Sequence, residues 1–417
     1  KPDIEAKYAR SRLSGDEILV ACVGSIGKIA LADEKLKGAN IARAVARIPC
    51  NANTDRKYIA YYLTSPQAQR HLHGETRTVA QPTLNIGQIK TTPVPLAPPD
   101  QQKRIVAKLD TLFECSRRAK DALDKVPDLV EKYRQSVLAA ACSGKLTEEW
   151  RKKNPDVEPA EKLLERIRVE RRRRWEEEQV AKFKAKGKMP KNDKWKQKYK
   201  EPEPVDTTDL PELPEGWCWA RLEELATLID YGTSGKCTKE PNGIPVLRMG
   251  NICDGELDMS KLKYLDKQHK DFPKLILCAG DLLFNRTNSV ELVGKSAVFE
   301  GLPSPCSFAS YLVRVRFGMG VLSRYVSCYI NSHFGRKWIR SVVSQLVGQA
   351  NVSAGKLKTL VVPLPPAQEQ VALVQVIKSN HAVLEKINKA SLLKDDLASL
   401  EQSLLLKAFS GHLCSHI

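Results

Sequence analysis

In two long stretches of the chain, mostly apolar residues recur at alternating intervals of three and four positions. This is the pattern of residues along the contact seam of a coiled coil. The first seam runs without a break through Ile105, Leu109, Leu112, Ser116, Ala119, Leu123, Val126, Val130, Tyr133, Val137 and Ala140. The second runs through Leu373, Ile377, Asn380, Leu384 and Ile387. The next two intervals are both three residues, to Ala390 and Leu393, which is a shortened step, and the seam then continues through Leu397, Leu400 and Leu404. The pattern predicts two helices, each about 35 to 40 residues long, that pack on each other.

The chain also repeats itself. Residues 81–102 align without gaps on residues 349–370, with 9 identities in 22 positions. Shorter matches at nearly the same displacement join Gly15-Asp16 to Gly280-Asp281, Gly27-Lys28 to Gly294-Lys295, and residues 135–146 to residues 402–413. The sequence therefore predicts a tandem duplication.

Short β-like runs and short helical runs precede each long helix. The predicted fold is α+β: a tandem duplication of two mixed α/β domains, each followed by a long helix, with the two helices forming an antiparallel coiled coil. The predicted boundaries are 1–98 and 213–366 for the domains, 99–146 and 367–413 for the helices, and 147–212 for a basic helical segment and linker. Only 14 residues precede Gly15, so we expect the N-terminal part of the first domain to be missing here.

Charge is concentrated in one part of the chain. The 67 Lys and Arg residues exceed the 49 Asp and Glu residues by 18, and residues 151–200 alone hold 19 basic and 9 acidic side chains. Such an excess favours a polyanionic partner such as nucleic acid. For Arg171 to Arg174, a solvated helix face and contact with a phosphate or a protein partner are equally good interpretations.

Composition argues against several classes of protein, including disordered, membrane-spanning and zinc-binding chains. A hydrophobic fraction of 42% with 28% charged residues is typical of a folded chain. No apolar run is long enough to span a bilayer and no signal peptide is recognisable, so we predict a cytoplasmic protein without a membrane partner. The 11 cysteines contain no Cys-x-x-Cys pair, which favours reduced thiols over a zinc site.

The sequence contains no recognisable catalytic motif. Val293-Gly294-Lys295-Ser296 is similar to the end of a phosphate loop, but Ser289 stands where that loop requires its leading glycine. The seven histidines show no zinc-ligand spacing. We therefore predict no catalytic residue, no metal site and no cofactor bound by this chain.

Polar and basic side chains in the predicted loops are the candidate binding residues. Arginine pairs with guanine edges, and asparagine or glutamine with adenine edges, so such loops suit contact with DNA bases. In the second domain the candidates are Arg286, Asn285, Thr287, Asn288, Arg248, Asn251, Lys295, Gln349 and Asn351. In the first domain they are Ser25, Lys28, Arg77, Thr78, Gln81 and Thr83. A purely turn-forming role is the alternative for each of them.

Four short motifs mark the ends of these elements. They are Leu213-Pro214-Glu215-Gly216-Trp217, Val94-Pro95-Leu96-x-Pro98-Pro99-x-x-Gln102, Val362-Pro363-Leu364-Pro365-Pro366-x-x-Glu369-Gln370 and Ser143-Gly144-Lys145-Leu146-Thr147-x-x-Trp150. With them the chain resembles the specificity subunit of type I restriction-modification systems. One departure is Asp100-Gln101-Gln102, where the family usually has Glu-Gln.

The resemblance implies a non-catalytic subunit that recognises double-stranded DNA. Two target-recognition domains would each recognise one half of a bipartite, asymmetric site, and the paired helices would hold the halves apart and dock two methyltransferase (modification) subunits. S-adenosylmethionine, ATP and Mg²⁺ are expected in the partner subunits, which optionally include two restriction subunits. The alternatives are a coiled-coil scaffold with two protein-binding domains and no base readout, or a complete enzyme with an unrecognised site.

Overall fold

The computed structural model describes residues 11–51, 53–74, 83–187, 190, 192–289, 291–346 and 349–413. The chain divides into two compact units. The first unit holds the described residues up to Leu129 and those from Ile387 onwards, and the second unit holds residues 130–386.

The helices and strands follow one another along the chain as listed here. Residues 11–153 form β1 (Ile18–Ala21), β2 (Ile29–Leu31), β3 (Val45–Ile48), α1 (Arg56–Thr64), α2 (Pro66–Gly74), α3 (Ile86–Thr91), α4 (Pro99–Cys142) and α5 (Glu148–Lys153). Residues 154–265 form α6 (Ala160–Ala185), β4 (Cys218–Arg221), α7 (Leu222–Leu225), β5 (Ala226–Tyr231), β6 (Ile244–Leu247), β7 (Ile252–Cys253), β8 (Glu256–Leu257) and β9 (Lys263–Leu265). Residues 266–413 form β10 (Leu282–Asn285), β11 (Thr287–Asn288), β12 (Ser296–Val298), β13 (Ser307–Phe308), β14 (Leu312–Phe317), α8 (Ser323–Asn331), α9 (His333–Val342), β15 (Ser344–Leu346), β16 (Gln349–Asn351), α10 (Ala354–Lys358), β17 (Val361–Leu364), α11 (Ala367–Ser391) and α12 (Lys394–Phe409). Short 3-10 helices cover Glu34–Leu36, Lys145–Thr147, Asp193–Lys198 and Met249–Asn251.

The first unit is built on an antiparallel sheet with the strand order β2-β1-β3. Alternate residues of a strand point to the same face, so Ile18 and Val20 of β1 are both buried. Ile18 packs with residues of α1 and of α2, and Val20 packs with Leu72 of α2. The helices therefore cover one face of the sheet.

The second unit contains a larger antiparallel sheet with the order β12-β10-β14-β5. Leu282 and Phe284 of β10 are buried in the main core together with Val313 and Val315 of β14. Helix α8 contributes Tyr325 to the same core. A parallel pair, β6 with β13, lies in a separate sheet whose strand order is β13-β6-β9.

Equivalent backbone hydrogen bonds form at the start of β1 and of β10. They show that the sequence match of Gly15-Asp16 to Gly280-Asp281 is displaced by one residue at the acidic position. The N–H of Ala32 donates to the carbonyl of Glu17, and the N–H of Phe299 donates to the carbonyl of Asp281. The Glu17 side chain is paired with Arg47 of β3, and Asp281 with Arg316 of β14. Glu17, and not the exposed Asp16, is therefore the equivalent of Asp281. The turn before β1 has one residue more between its glycine and this carboxylate than the turn before β10.

A buried glutamine joins each long helix to its domain. Gln102 donates to the carbonyl of Ala97 (2.7 Å) and accepts the N–H of Asp55 (2.9 Å). Gln370 likewise donates to the carbonyl of Pro365 (3.0 Å) and accepts the N–H of Leu322 (2.8 Å). Both glutamine side chains satisfy backbone groups that would otherwise be buried without partners.

A tyrosine supports each of these junctions. The hydroxyl of Tyr58 in α1 donates to the carbonyl of Pro95 (2.6 Å), and that of Tyr325 in α8 donates to the carbonyl of Pro363 (2.8 Å). The two acceptors belong to the Val-Pro-Leu motifs that precede the long helices. The duplicated sequence thus produces a duplicated contact.

Within the second unit, three of the sequence motifs meet at Glu369. This carboxylate is fully buried and accepts hydrogen bonds from Trp217 Nε1 (2.8 Å), Thr147 Oγ1 (2.6 Å) and Arg151 (2.6 Å). Buried charge is tolerated only with such partners. In the first unit the equivalent residue is Gln101, whose side chain is exposed.

The long helices pair in an antiparallel direction within each unit. In the first unit, Ser116 of α4 donates to Glu401 of α12 (2.6 Å), and Asp124 pairs with Lys394. In the second unit, the hydroxyl of Tyr133 donates to Asn380 Oδ1 of α11 (2.9 Å). At 44 residues, α4 is longer than predicted, and Pro127 lies inside it.

The second long helix is interrupted, unlike the first. Helix α11 ends at Ser391 and α12 begins at Lys394. The break coincides with the shortened step in the seam, and beyond it the buried positions shift. Leu400, predicted in the seam, is 50% exposed, whereas Leu405 and Ala408 are each 3% exposed. A shortened step of this kind disturbs the winding of a coiled coil locally, and here the helix is interrupted at that position.

The first turns of α6 belong to the core of the second unit. Ala160, Leu163, Leu164 and Ile167 are buried there. Arg168 forms two hydrogen bonds to the buried Glu224 of α7, at 3.0 and 2.7 Å. The basic helical segment predicted within residues 147–212 is therefore anchored at its start in the core of the second unit.

No helix in the described part of the chain is long and apolar enough to cross a membrane. Among the described residues, no group of three or more His, Cys, Asp or Glu side chains is placed to hold a metal ion. The described cysteines are free thiols. Burial raises the pKa of the Cys218, Cys306 and Cys328 thiols to about 12, so they are protonated near neutral pH.

Glu17 makes the stability of the first unit depend on pH. Burial raises the pKa of this carboxyl, but the N–H groups of Ser14 and Gly15, together with Arg47, lower it further, to about 2. Because folding depresses this pKa from 4.5, the ionised carboxyl stabilises the fold above about pH 4.5. That contribution is lost as the pH falls towards 2.

We expect Glu17→Gln to lower the free energy of unfolding of the first unit by roughly 1 to 3 kcal/mol at pH 7, and by much less near pH 2. Urea unfolding of the full chain at a series of pH values measures this difference. Asp16→Asn, at the neighbouring exposed carboxylate, is the matched control and should leave stability nearly unchanged. An equal loss from Glu17→Gln at both ends of the pH range would contradict the assignment.

Candidate nucleic-acid interface

Two strands of the large sheet in the second unit end at the same edge. Asn285, the last residue of β10, pairs with Leu312, and Tyr231, the last residue of β5, pairs with Val313. Leu312 and Val313 begin β14, which lies between β10 and β5. The residue after β10, Arg286, therefore lies near Tyr231. We call Tyr231, Arg286, Thr287, Asn288, Tyr311 and Asn351 the arginine edge.

Arg286 is held in place through its backbone and its side chain. Its N–H donates to the carbonyl of Tyr311 (3.0 Å), and its own carbonyl accepts the N–H of Val352 (2.9 Å). The guanidinium carbon lies 4.7 Å from the centre of the Tyr231 ring, a cation–π distance. The Tyr231 hydroxyl in turn accepts the N–H of Ala354 (3.0 Å). The planar guanidinium is thus oriented before any ligand arrives.

The charge of Arg286 is not neutralised by the protein. Arg314 and Arg316 of the same sheet form close ion pairs with Asp230 and Asp281 (both 2.7 Å). Within the described residues, neither Arg286 nor Arg248 has a carboxylate partner, and the Nε atom of each is buried without a hydrogen-bond partner. Arginines without a carboxylate partner suit a phosphate oxygen or a guanine edge, and the Arg286 guanidinium is also oriented by Tyr231.

Arg248 approaches this edge through a neighbouring segment. The N–H of Ala309 donates to the carbonyl of Leu247, immediately before Arg248, and the carbonyl of Tyr311 accepts from Arg286. Residues 309–311 therefore connect the backbone next to Arg248 with the backbone of Arg286. Tyr311 is 48% exposed and Met249, next to Arg248, is 38% exposed. Such exposed aromatic and apolar groups suit contact with bases or sugars.

A small ladder places further polar residues beside Arg286. Thr287 and Asn288 form β11, in which Thr287 pairs with Asn351 and Asn288 pairs with Ala350 of β16. Asn288 and Asn351 are half-buried, while Thr287 is buried. The structure thus brings together Arg286, Thr287, Asn288 and Asn351 from the predicted set.

Two predicted residues are used inside the protein instead. Asn251 is 2% exposed; its Oδ1 accepts the N–H of Arg248 (2.9 Å), and its amide donates to the carbonyls of Asp258 (2.8 Å) and Lys261 (3.3 Å). Asn285 is 1% exposed and donates to the carbonyl of Leu292 (3.2 Å). Asn251 therefore shapes the loop that carries Arg248.

The remaining residues predicted for the second domain lie apart or are described only by their backbone. Lys295 lines a cleft of about 760 Å³ with Arg324, Asn331 and Arg336, among other residues, and that lining includes neither Arg286 nor Arg248. Gln349 pairs with Leu346 in the β15–β16 ladder.

The first unit presents the same turn with different side chains. Ser25 and Lys28 are exposed in the turn between β1 and β2, and Thr83 bridges to Val23. The N–H of Leu84 donates to the carbonyl of Cys22, as that of Val352 does to Arg286. Buried Cys22 thus stands where the second unit has Arg286. Arg77, Thr78 and Gln81 lie outside the described residues.

Two tyrosines at this edge were not predicted from the sequence. Tyr231 lies 55 positions before Arg286 in the chain, and only the pairing of β5 with β14 brings it near. The one local signal is an aromatic residue at the end of a strand, directly before Gly232. That signal alone does not distinguish a binding residue from a core residue.

Comparisons with known proteins agree with the motifs. A family model described as the type I restriction modification DNA specificity domain matches residues 1–127. The putative type I restriction enzyme MjaX specificity subunit of Methanocaldococcus jannaschii is 30% identical over 220 residues, 52% of this chain and 51% of that protein. The type I restriction enzyme EcoKI specificity subunit of Escherichia coli is 26% identical over 325 residues, 77% of this chain and 57% of that protein. This chain spans about half the length of these relatives, and the predicted resemblance is confirmed.

Solved structures show the same fold. The HsdS subunit from Thermoanaerobacter tengcongensis aligns with a TM-score of 0.57 and 20% identity, covering 96% of this chain and 82% of that one. A structure reported for complex assembly and conformational transition of the type I R-M system aligns with a TM-score of 0.64 and 20% identity, covering 96% and 83%. The predicted α+β class, with tandem domains and long helices, is confirmed.

Substitutions at Arg286 and Asn251 should separate binding from folding. We expect Arg286→Ala to weaken duplex binding by about 1 to 3 kcal/mol without lowering the thermal midpoint. Arg286→Lys should not restore full affinity, because lysine lacks the planar, bidentate donor group. Fluorescence anisotropy with labelled duplex and thermal unfolding measure the two effects.

Asn251→Ala is the matched comparison. It should lower the thermal midpoint, because its removal leaves the N–H of Arg248 and two carbonyls without a partner. Unchanged affinity in Arg286→Ala would show that the arginine edge faces away from DNA.

Proposed function

We propose that this chain is the sequence-specific DNA-binding subunit of a type I restriction-modification complex. Each unit would recognise one half of a bipartite, asymmetric target. The target-recognition domains would comprise residues 1–98 and 213–366, the long helical regions residues 99–146 and 367–413, and residues 147–212 would connect the two halves.

One observation carries the proposal. The turn that follows the first core strand keeps the same backbone hydrogen bonds in both units, whereas its side chains differ. Where the second unit has Arg286 over Tyr231, the first has the buried Cys22, and its exposed turn residues include Ser25. The lysine that both turns share is Lys28 in the first unit and Lys295 in the second. A conserved scaffold with diverged loop residues suits recognition of two different half-sites by one mode of docking.

Catalysis would come from partner subunits. Two methyltransferase subunits would bind S-adenosylmethionine, and two restriction subunits, where present, would use ATP and Mg²⁺. In this chain the arginine edge offers a guanidinium group, amide and hydroxyl groups and two tyrosine rings, which suit contact with a duplex. The proposed role of this chain is therefore to position DNA.

Methylation mapping tests the bipartite target. In cells that express this chain with its methyltransferase partner, modified positions should fall in two short, different motifs separated by a spacer of fixed length and free sequence. Arg286→Ala should relax positions in one half only, and Lys28→Gln positions in the other, because the two residues belong to different units. Methylation at one contiguous motif would contradict the two-reader arrangement, and methylation independent of sequence would favour the scaffold alternative.

The isolated chain should transfer no methyl groups. Incubation of the purified 417-residue chain with labelled S-adenosylmethionine and duplex should leave the DNA unlabelled. Addition of the methyltransferase subunit should produce labelling, which serves as the positive control. Incorporation by the chain alone would overturn the non-catalytic assignment in favour of a complete enzyme.

A further inference from the structure

The arginine run of α6 does not account for the basic character of residues 151–200. Arg173 and Arg174 both pair with Glu170 (2.8 Å), Arg172 pairs with Glu176 (3.4 Å), and Arg171 pairs with Glu223 (3.4 Å). Arg171 also donates to the backbone carbonyl of Glu223. The run is therefore neutralised within the second unit and fixes α6 to α7.

The uncompensated charge lies further along, in what we call the lysine segment, the described part of residues 182–200. It contains seven lysines and a single acidic residue, Asp193. Lys196 pairs with Glu176 (3.6 Å) and Asp193 (3.5 Å). The other six are exposed, and within the described residues none of them forms an ion pair; they are Lys182, Lys184, Lys186, Lys194, Lys198 and Lys200.

An aromatic cluster holds the two halves of the lysine segment together. Trp175 of α6 stacks on Trp195 of the 3-10 helix Asp193–Lys198, with ring centres 5.9 Å apart. Phe183 contacts the Trp195 ring (6.0 Å), and Tyr199 contacts Trp175 (5.3 Å). Aromatic contacts of this kind fix local geometry, so the lysines belong to a folded surface and not to a free tail.

We propose that the lysine segment binds the phosphate backbone of duplex DNA without regard to sequence. The inference rests on the proposed function, since it adds a second contact to a DNA-binding chain. Lysines act as mobile point charges that contact phosphate oxygens and carry no preference for a base, unlike the oriented guanidinium of Arg286. Such a contact strengthens binding to all sequences alike.

The salt dependence of binding tests this proposal. The test variant replaces the six exposed lysines by glutamine in the full chain, and the matched control replaces the same six by arginine, which keeps the charge. Affinity is measured by fluorescence anisotropy over a series of KCl concentrations. The probes are a random-sequence duplex, a duplex with the target found by methylation mapping, and a folded RNA.

We expect the glutamine variant to bind both duplexes more weakly. The slope of log K against log salt concentration should become less negative by about two to four, because about two to four phosphate contacts are lost. The ratio of target to random affinity should stay unchanged, and the arginine variant should behave like the unmodified chain. Thermal unfolding confirms that the variants fold.

The outcomes separate this inference from the proposed function. A reduced slope in a chain that does not prefer the target would support the lysine contact while refuting sequence recognition. An unchanged slope in a chain that prefers the target would overturn the lysine contact alone. A larger loss for the folded RNA than for either duplex would also overturn it, in favour of an RNA partner.

Discussion

A buried glutamine at the start of each long helix fixes the domain that precedes it. Gln102 and Gln370 each bond to a carbonyl of the proline motif and to the N–H at the beginning of a domain helix. Loss of either amide would leave two backbone groups buried without partners, at a cost of roughly 1 to 3 kcal/mol each. Because the sheet packs on those domain helices, the orientation of each candidate binding edge on its long helix depends on this contact, which a tyrosine supports in both units.

The second unit adds a buried carboxylate beside its glutamine. Glu369 accepts from Trp217 and Thr147, which belong to two other motifs of the chain, and from Arg151, which follows the second of them. Gly144, with a positive φ of 72°, lies close to Pro214 and Trp217, where a larger side chain would collide. These motifs are therefore parts of one packed junction, and their physical role is to close the second unit around the end of α4.

The sequence predicted the features that depend on local periodicity and repetition. The heptad seam and its flanking prolines predicted the long helices, and the shortened step near Ala390 coincides with the break before Lys394. The equivalence of Glu17 with Asp281 was missed, because strand register depends on turn length and not on identical letters. At the candidate site, Arg286 was predicted from its loop, but the supporting Tyr231 was not, since strand pairing distant in sequence creates that contact.

The central claim is that one backbone arrangement, used twice, presents different side chains to two half-sites. A cryo-electron microscopy structure of the chain in its methyltransferase complex, bound to the mapped target duplex, tests it most directly. The turn after β10, with Arg286 and Asn288, and the turn after β1, which exposes Ser25 and Lys28, should both contact DNA through the same edge of their sheets. Contact of the duplex with a different edge of either sheet would contradict it.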